Sequence, residues 1–345
     1  MSKNNQTIKY QEGLNKKENK IATSEAVNEI ESNGSFNRQK NRFTTPFSNK
    51  DGNLPVKEEL YRLLWAPICP WAHRVVIVRK VLGLEDAISL GTANPIRTDK
   101  GWSFSLDKGG IDPVLGIRYL SEVYVSADPN YNGRATVPAI VDINTKKVVN
   151  NDYFNLTNYL ETVWSPYHKK NAPDLYPIAL RNEIDELNNS IFHDINNGVY
   201  KCGFANSQDA YENAYDILFK KLDDLEQRLS DKRFLFGDFI TDSDIRLYVT
   251  LARFDTAYYS AFLTNRNRII DFPNLWGYAR DLYQTPGFGD TTDFDAIKKG
   301  YHLLNEIRNP FMILPKGPDI SGWSSPHNRE SLSKNKQVYD IKKGR

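Results

Sequence analysis

The chain contains little cysteine, almost no net charge and no long apolar run. Only Cys69 and Cys202 are cysteines among 345 residues, which excludes a disulfide framework as its architecture. Basic residues number 45 and acidic residues 43, so the net charge of +2 gives no electrostatic basis for binding nucleic acid. No apolar stretch approaches the roughly 18 residues of a membrane span, and residues 1–13 lack the apolar core of a signal peptide. We therefore expect a cytoplasmic protein of about two domains that binds no membrane.

The stretch YRLLWAPICPWAHRVVIVRK, residues 61–80, predicts a strand that turns into a helix at Cys69. Pro70 takes the favoured first helical position, so the Cys69 thiol faces the unpaired N–H groups and the positive end of the helix dipole. Arg74 adds a positive charge one turn later. Both features favour the thiolate, and we expect a pKa below the free-thiol value of about 8.5. The alternative is an inert cysteine that packs as a small buried hydrophobe.

Strand and helix patterns alternate from residue 59, whereas only helical patterns follow residue 178. The hydrophobic spacing predicts strands at 60–65, 87–92, 137–143 and 147–149, and helices at 70–82, 117–126 and 156–163. This is the element order of the thioredoxin fold, so we predict an α/β domain followed by an all-α domain. The predicted boundaries are a mobile polar tail at 1–32, an extended arm at 33–58, the thioredoxin-like domain at 59–164, a linker at 165–177, the all-α domain at 178–330 and a polar tail at 331–345.

The second half of the chain contains residue patterns that are typical of helix starts. Thr241 and Asp244, three residues apart, resemble a capping box that opens one helix. Pro273 opens another, and a last helix is predicted over 293–306. An apolar stripe predicts one continuous helix through Ile184, Leu187, Ile191, Ile195 and Val199.

The hexapeptide Cys-Pro-Trp-Ala-His-Arg, which begins at Cys69, resembles the active-site motif of the glutathionyl-hydroquinone reductases, the Xi class of glutathione transferases. The resemblance spans roughly residues 33–330, and matches that keep the same order are stronger than any single motif. It implies a thioredoxin-like glutathione-binding domain, an all-helical C-terminal domain and a homodimer. The further matching segments are GWSF at 101–104, ADPNYNGRATVP at 127–138, NNGVYKCGFA at 196–205, RLYVTLARFD at 246–255 and NLWGYARDLYQTPG at 274–287.

The resemblance also implies an activity. The class reduces glutathionyl-hydroquinones with glutathione as co-substrate, through a mixed disulfide that would form on Cys69 here. Tyr200 and Tyr301 match family tyrosines whose hydroxyls point at the catalytic sulfur and the hydroquinone oxygen. The alternative for both tyrosines is ordinary packing in a helical core.

The glutathione-binding positions match the family less completely. The family motif Asn-Asn-Glu-Ser, whose Glu and Ser hold the γ-glutamyl end, is replaced here by Asn-Asp-Tyr at 151–153. Asp152 keeps a carboxylate with a shorter reach. Tyr153 puts a ring in place of a small hydroxyl, and this ring must either turn outward or fill the subsite. The positions that do match are Trp102, Arg134 and the backbone of Val137, which precedes an expected cis-proline, with Arg118 as a weaker candidate.

The residues leave other functions open. Ala72 stands where thioredoxins have a second cysteine, so a lone Cys69 thiol needs an external thiol to regenerate it. That thiol is glutathione or another low-molecular-weight thiol, as in a general thiol transferase or a dehydroascorbate-type reductase. A non-catalytic transferase-fold binding protein is the alternative outside enzymes. We expect Cys202 to be inert, and the isolated His73 and His193 give no metal-binding spacing.

Overall fold

The computed structural model describes residues 29–48, 50–303 and 309–341. Within these ranges the N-terminal half is built on a four-stranded mixed sheet in the order β2-β1-β3-β4. The strands are β1 Tyr61–Trp65, β2 Ile88–Thr92, β3 Ala139–Asp142 and β4 Lys147–Asn150. The helices of this half are α1 Pro70–Leu82, α2 Ser121–Ala127 and α3 Leu156–Glu161. This arrangement confirms the predicted thioredoxin-like domain.

The central strand β1 fixes the position of the loop that carries Cys69. It runs parallel to β2, with Trp65 opposite Thr92, and antiparallel to β3, with Leu64 opposite Ala139. β3 and β4 form the predicted hairpin. All five residues of β1 are buried, as expected of a strand with a neighbour on each side. The chain therefore leaves the middle of the sheet directly into the turn before α1, beside the loop that enters β3.

The C-terminal half is helical, which confirms the predicted all-α domain. Two π-helical segments interrupt it, Ile191–Asn196 after α4 and Phe254–Tyr258 after α7. None of the described helices combines the length and apolar character that crossing a membrane requires. The helices are α4 Arg181–Ser190, α5 Gly198–Phe204, α6 Gln208–Arg228, α7 Asp242–Arg253, α8 Tyr259–Ala261, α9 Pro273–Gln284 and α10 Phe294–His302.

Several predicted local features occur as the sequence indicated. α1 has the predicted bounds and ends at Gly83, whose φ of 72° is left-handed and suits a residue without Cβ. The peptide bond between Val137 and Pro138 is cis. Thr241 is the N-cap of α7, and its N–H donates to the Asp244 carboxylate at 2.8 Å.

Other helix predictions were wrong in detail. α2 begins at Ser121 instead of residue 117, because the N–H groups of Arg118 and Tyr119 donate to the Glu122 carboxylate in a turn. The predicted continuous helix through Ile184 and Val199 is divided by the first π-helical segment. α10 ends at His302, not at 306, and residues 304–308 lie outside the described residues.

The N-terminal arm bridges the two domains. On the helical side, the Asn206 N–H donates to the Gly34 carbonyl at 2.9 Å. On the sheet side, the Asn151 N–H donates to the Phe43 carbonyl at 2.8 Å. The prediction of a mobile tail through residue 32 is wrong at its end, because Glu29 is buried in an ion pair. The rest of that predicted tail, residues 1–28, lies outside the described residues.

The C-terminal segment predicted as a polar tail also packs on the body. The Ile240 N–H donates to the Val338 carbonyl at 2.8 Å, and the Asp174 N–H donates to the Asp340 carbonyl at 3.0 Å. The chain therefore returns to the interdomain linker and to the turn before α7. Residues 342–345 of the predicted tail lie outside the described residues.

We expect Asp244→Ala to lower the free energy of unfolding by about 3 kcal/mol or more, since each buried donor left unpaired costs about 1–3 kcal/mol. The Asp244 carboxylate accepts from the N–H groups of Leu235 and Thr241 and from the hydroxyls of Thr241 and Tyr278. Urea denaturation followed by circular dichroism measures the loss. Thr241→Val is the matched control, since it removes one of these donors and leaves the carboxylate in place. Equal losses in the two variants would contradict this assignment.

Candidate active site

Cys69 lies at the strand-to-helix junction that the sequence predicted. It is the N-cap residue of α1 in an extended conformation, and Pro70 follows at the first helical position. Its thiol lies 3.3 Å from the carbonyl oxygen of Val137, the residue before the cis-proline. Only 8% of Cys69 is exposed. The sheet order explains this meeting, since β1 and β3 are neighbours and their adjoining loops share one edge of the sheet.

The pKa of Cys69 is raised, and the prediction of a lowered pKa was wrong. Burial is the largest cause, because desolvation disfavours the thiolate. The backbone N–H groups at the start of α1 and the charges of Arg253 and Arg38 oppose the rise without cancelling it. Arg74, the predicted activating charge, donates instead to the backbone carbonyl of Tyr153. The Cys69 thiol is therefore protonated near neutral pH.

A buried arginine from α7 holds the turn that leads into Cys69. The Arg253 guanidinium donates to the carbonyl of Ile68 from Nε and to that of Pro67 from Nη2, both at 2.8 Å. Its Nη1 lies 3.1 Å from Nδ1 of His73. Burial and the charge of Arg253 lower the pKa of His73 well below its usual value, so the neutral ring accepts this hydrogen bond. A side chain of the helical domain thus fixes the turn of the other domain that carries Cys69.

Three tyrosine hydroxyls meet next to this turn. The hydroxyl of Tyr301 lies 2.6 Å from that of Tyr200 and 3.1 Å from that of Tyr258. Tyr301 also donates to the Ile68 carbonyl at 3.4 Å. α10 comes this close because residue 300 is glycine, where an added Cβ would lie only 2.5 Å from the Ile68 side chain. The structure therefore brings Tyr200 and Tyr301 together, and adds Tyr258 to them.

The same burial that raises the thiol pKa keeps these hydroxyls protonated. Desolvation raises the pKa of Tyr200, and the charge of Arg38 is the first influence that opposes the rise. The pKa values of Tyr258 and Tyr301 are raised well above their usual value, again mainly through burial. Three neutral hydroxyls in contact provide donors for an oxygen that gains negative charge beside Cys69.

An aromatic wall formed by Trp71, Tyr153, Phe192 and Tyr200 lines the space between the domains. The Trp71 ring lies 5.2, 5.5 and 5.9 Å from the centroids of Tyr153, Phe192 and Tyr200 respectively. Tyr153 is therefore turned inward and does not project into solvent. Its pKa is raised, mainly by burial.

Two of the predicted glutathione ligands already have partners within the chain. Arg134 forms a two-pronged ion pair with Glu29, at 2.6 and 3.2 Å. The Asp152 carboxylate accepts from the Asn155 side-chain amide at 2.8 Å and from backbone N–H groups at the start of α3. Asp152 thus holds the turn that precedes α3, whose N-cap residue is Asn155.

The remaining predicted positions lie around the end of β1. Val137 is adjacent to Cys69 as predicted. Trp102 is buried in a loop anchored where β2 ends, since the Asn94 N–H donates to the Ser103 carbonyl, and the Arg97 guanidinium lies 5.2 Å from the Trp102 ring. Arg118, the weaker candidate, donates to the Gly109 carbonyl.

Cys202 lies two residues after Tyr200 on α5, and only 1% of it is exposed. Burial raises the pKa of its thiol to about 12, so it is far less reactive than an exposed cysteine. Within the described ranges, no group of His, Cys, Asp or Glu side chains is placed to hold a metal ion.

Comparison with known proteins identifies the family. Sequence models of the N-terminal and C-terminal domains of glutathione S-transferase match residues 68–163 and 208–281. The glutathionyl-hydroquinone reductase YqjG of Escherichia coli is 40% identical over 81% of this chain and 85% of its own length. The chain belongs to the Xi class of glutathione transferases.

Solved structures of Xi-class enzymes and related transferases agree with this fold. Glutathione-bound YqjG matches with a TM-score of 0.78 at 38% identity, over 84% of this chain and 96% of that one. The Xi enzyme of Phanerochaete chrysosporium matches with a TM-score of 0.79 at 37% identity, over 85% and 95%. A glutathione transferase of Gordonia bronchialis matches with a TM-score of 0.79 at 52% identity, over 81% and 87%.

Three residues of this Xi-class site were not predicted from the sequence. Arg253 lies in the RLYVTLARFD segment, whose resemblance to the class was evident, but nothing there indicated a contact with Pro67 and Ile68. Tyr258 lies three residues after the same segment, at the end of a π-helical turn that helical periodicity does not reveal. Arg38 lies in the phenylalanine-containing arm, whose path over the site depends on tertiary contacts.

We expect the rate of Cys69 alkylation by iodoacetamide to rise with pH, with an inflection above the free-thiol value of about 8.5. The thiolate is the reactive form, and burial outweighs the helix start and the charges of Arg253 and Arg38. Cys202→Ala supplies a background with a single thiol. An inflection below 8.5 would mean that the helix start outweighs burial after all.

Proposed function

We propose that the protein is a cysteine-dependent reductase of glutathionyl-hydroquinones that uses glutathione as its reducing thiol. The observation that supports this most is the contact of the Cys69 thiol with the Val137 carbonyl, next to the hydrogen-bonded pair Tyr200 and Tyr301. A nucleophile, the backbone of Val137 for a thiol substrate and neutral donors then share one site. The E. coli relative is named as a reductase of this kind.

In the first proposed step, the Cys69 sulfur bonds to the sulfur of the thioether as the bond from that sulfur to the ring carbon breaks. The adduct reacts as its keto tautomer, whose sulfur-bearing ring carbon already holds a proton. The electron pair of the broken bond therefore passes through the ring to the adjacent oxygen, which takes up one proton as hydroquinone leaves. Cys69 becomes a mixed disulfide with glutathione. The proton given up by the Cys69 thiol equals the one that this oxygen requires, so this step balances without an outside acid. The Tyr200 and Tyr301 hydroxyls donate to the hydroquinone oxygen.

In the second step, the thiolate of a free glutathione attacks the glutathione sulfur of the mixed disulfide. Glutathione disulfide leaves and the Cys69 sulfur is restored, taking up the proton that the second glutathione lost. One adduct and one glutathione therefore give one hydroquinone and one glutathione disulfide. The backbone of Val137 would pair with the cysteinyl part of glutathione as an added strand does, with Trp102 closing over the ligand.

We also propose that the enzyme acts as a homodimer in the cytoplasm, as the resemblance to the Xi class implies. Sedimentation equilibrium of the full chain measures the oligomeric state. A mass of one chain at micromolar concentration would refute the dimer and leave the chemistry unaffected.

Cys69→Ser should abolish reduction, because serine cannot form the mixed disulfide. Mass spectrometry of the wild type after one equivalent of adduct should show a single glutathione on Cys69. Circular dichroism checks that the serine variant is folded. Cys202→Ala is the matched control, and it should keep most of the activity. Turnover by Cys69→Ser, or an inactive Cys202→Ala variant, would refute the single-thiol mechanism.

Tyr153 raises the question of which thiol fits this site. Its ring packs on Trp71 inside the aromatic wall, at the position that holds a small hydroxyl in the family motif. A ring there fills space that the γ-glutamyl end would use and adds no hydrogen bond to it. The Asp152 carboxylate already takes the N–H groups of Phe154 and Asn155, which leaves fewer donors for the γ-glutamyl end. We therefore propose that glutathione is used with weakened affinity.

Tyr153→Ser should lower the Michaelis constant for glutathione by about tenfold or more, the value of one hydrogen bond to a charged group. Tyr153→Phe keeps the ring without its hydroxyl, and it should leave the constant unchanged. Cysteinylglycine lacks the γ-glutamyl group, so its Michaelis constant should not fall in the serine variant. An unchanged or higher constant for glutathione in Tyr153→Ser would show that the subsite is misassigned or that the natural thiol is a different one.

A further inference from the structure

The N-terminal arm brings a guanidinium into the aromatic wall. The Arg38 Cζ lies 4.7 Å from the centroid of Trp71 and 4.5 Å from that of Tyr200. Its Nε donates to the side-chain oxygen of Asn197 at 2.9 Å. The arm itself is fixed on both sides of Arg38 by the backbone bonds of Gly34 and Phe43, so this position is determined by the fold.

One end of this guanidinium lacks an acceptor. Arg38 Nη2 is buried, and no hydrogen-bond partner for it occurs among the described residues. The rings of Trp71 and Tyr200 engage the face of the guanidinium through cation–π contacts, and Nη2 at its edge stays unpaired. A buried donor of a charged group without an acceptor is costly. Arg74, Arg233 and Arg246 also have buried donors without a partner among the described residues, and Arg38 differs from them in lying over both Trp71 and Tyr200. An acceptor that arrives with the substrate accounts for the unpaired Nη2 of Arg38.

The surroundings indicate what kind of acceptor it is. Arg38 lies over the Tyr200 ring, and its charge acts on the Cys69 thiol, which loses its proton in the proposed reaction, and on the Tyr200 hydroxyl, which donates to the leaving oxygen. No carboxylate of the described chain pairs with Arg38. An anionic oxygen is therefore the complementary ligand, and a planar guanidinium binds such an oxygen better than an ammonium group does.

We propose that Arg38 is a further catalytic residue of this site, whose Nη2 donates to an anionic oxygen of the substrate. The proposal deepens the proposed function and rests on it. Two sources share this chemistry, the hydroquinone oxygen that becomes negative as the ring leaves and a carboxylate of the thiol. Because Arg38 Nη2 is buried, either oxygen can reach it only if the arm shifts locally. The arm has no helix or strand at Arg38.

The test compares Arg38→Met with Arg42→Met, a matched loss of charge in the same arm. Arg42 is 61% exposed and pairs with Asp128, away from the aromatic wall. Single-turnover release of hydroquinone from stoichiometric adduct reports the first step, and the Michaelis constant for glutathione reports the second. We expect Arg38→Met to lose about tenfold to a hundredfold in one of them, and Arg42→Met to change neither by more than about twofold.

A loss confined to hydroquinone release identifies the hydroquinone oxygen as the ligand, and a loss confined to the glutathione constant identifies the carboxylate. Arg38→Met that matches Arg42→Met in both measurements overturns the proposal. Circular dichroism and thermal melting establish that each variant is folded. If Arg38→Met does not fold, Arg38→Lys replaces it. This variant keeps the charge but loses the planar fork, so undiminished rates in both steps overturn the proposal.

The pH dependence of Cys69 alkylation separates a catalytic role of Arg38 from a structural one. The inflection of Cys69 alkylation should move to higher pH in Arg38→Met and stay in place in Arg38→Lys, with Arg253, Arg74 and Tyr200 still present in both. An inflection that does not move in Arg38→Met overturns the electrostatic part of the proposal. Failure of the proposed function appears differently, as the absence of a glutathione adduct on Cys69 in the wild type.

Discussion

The hydrogen bonds from Arg253 to the carbonyls of Pro67 and Ile68 are the contact on which the site depends most. These two carbonyls belong to the turn between β1 and α1, so their orientation sets the direction of the Cys69 side chain. Arg253 comes from the other domain and is fully buried. A buried guanidinium without acceptors would be strongly destabilising, which ties the packing of the two domains to the shape of the turn that carries Cys69. Tyr301 uses the same Ile68 carbonyl, so the tyrosine cluster is positioned by the same turn.

Burial then decides how the sulfur behaves. A helix start favours a thiolate, but here desolvation is the larger effect and the resting thiol is neutral. This suits the proposed first step, in which a proton must reach the leaving ring. A pre-formed thiolate would need that proton from elsewhere, whereas a neutral thiol brings it. Tyr200, Tyr258 and Tyr301 are neutral for the same reason, so a single physical cause sets both the nucleophile and the donors.

The sequence predicted well what is local. The bounds of α1, its glycine end, the β3–β4 hairpin and the start of α7 at Thr241 all follow from turn and capping chemistry within a few residues. Cys69 was predicted from its place at a helix start, and the resemblance to the Xi class added Tyr200 and Tyr301. The structure places all three in one site. Arg253, Arg38 and the inward turn of Tyr153 could not be predicted, because each depends on contacts between segments far apart in the chain.

The predicted continuous helix through Ile191 and Val199 was wrong, but the spacing of its apolar residues indicates the irregularity. The stripe through Ile191, Ile195 and Val199 repeats at four residues, which exceeds the 3.6 residues of an α-helical turn. A π-helical segment absorbs this excess between Ile191 and Asn196. The second π-helical segment ends at Tyr258. The first ends four residues before Tyr200, so each irregular segment lies near a tyrosine of the cluster.

The charges around the sulfur explain why the arm belongs to the site. Arg253 and Arg38 both act on Cys69, and Arg74 lies on the far side of Trp71, 5.4 Å from its ring. Arg253 donates to backbone carbonyls of the turn before α1. Arg74 donates to the Tyr153 carbonyl, but its Nε and Nη1 are buried without a partner among the described residues. Arg38, from the N-terminal arm, lies over both Trp71 and Tyr200. The arm therefore contributes to the aromatic wall a cation that the proposed departure of an anionic oxygen would use.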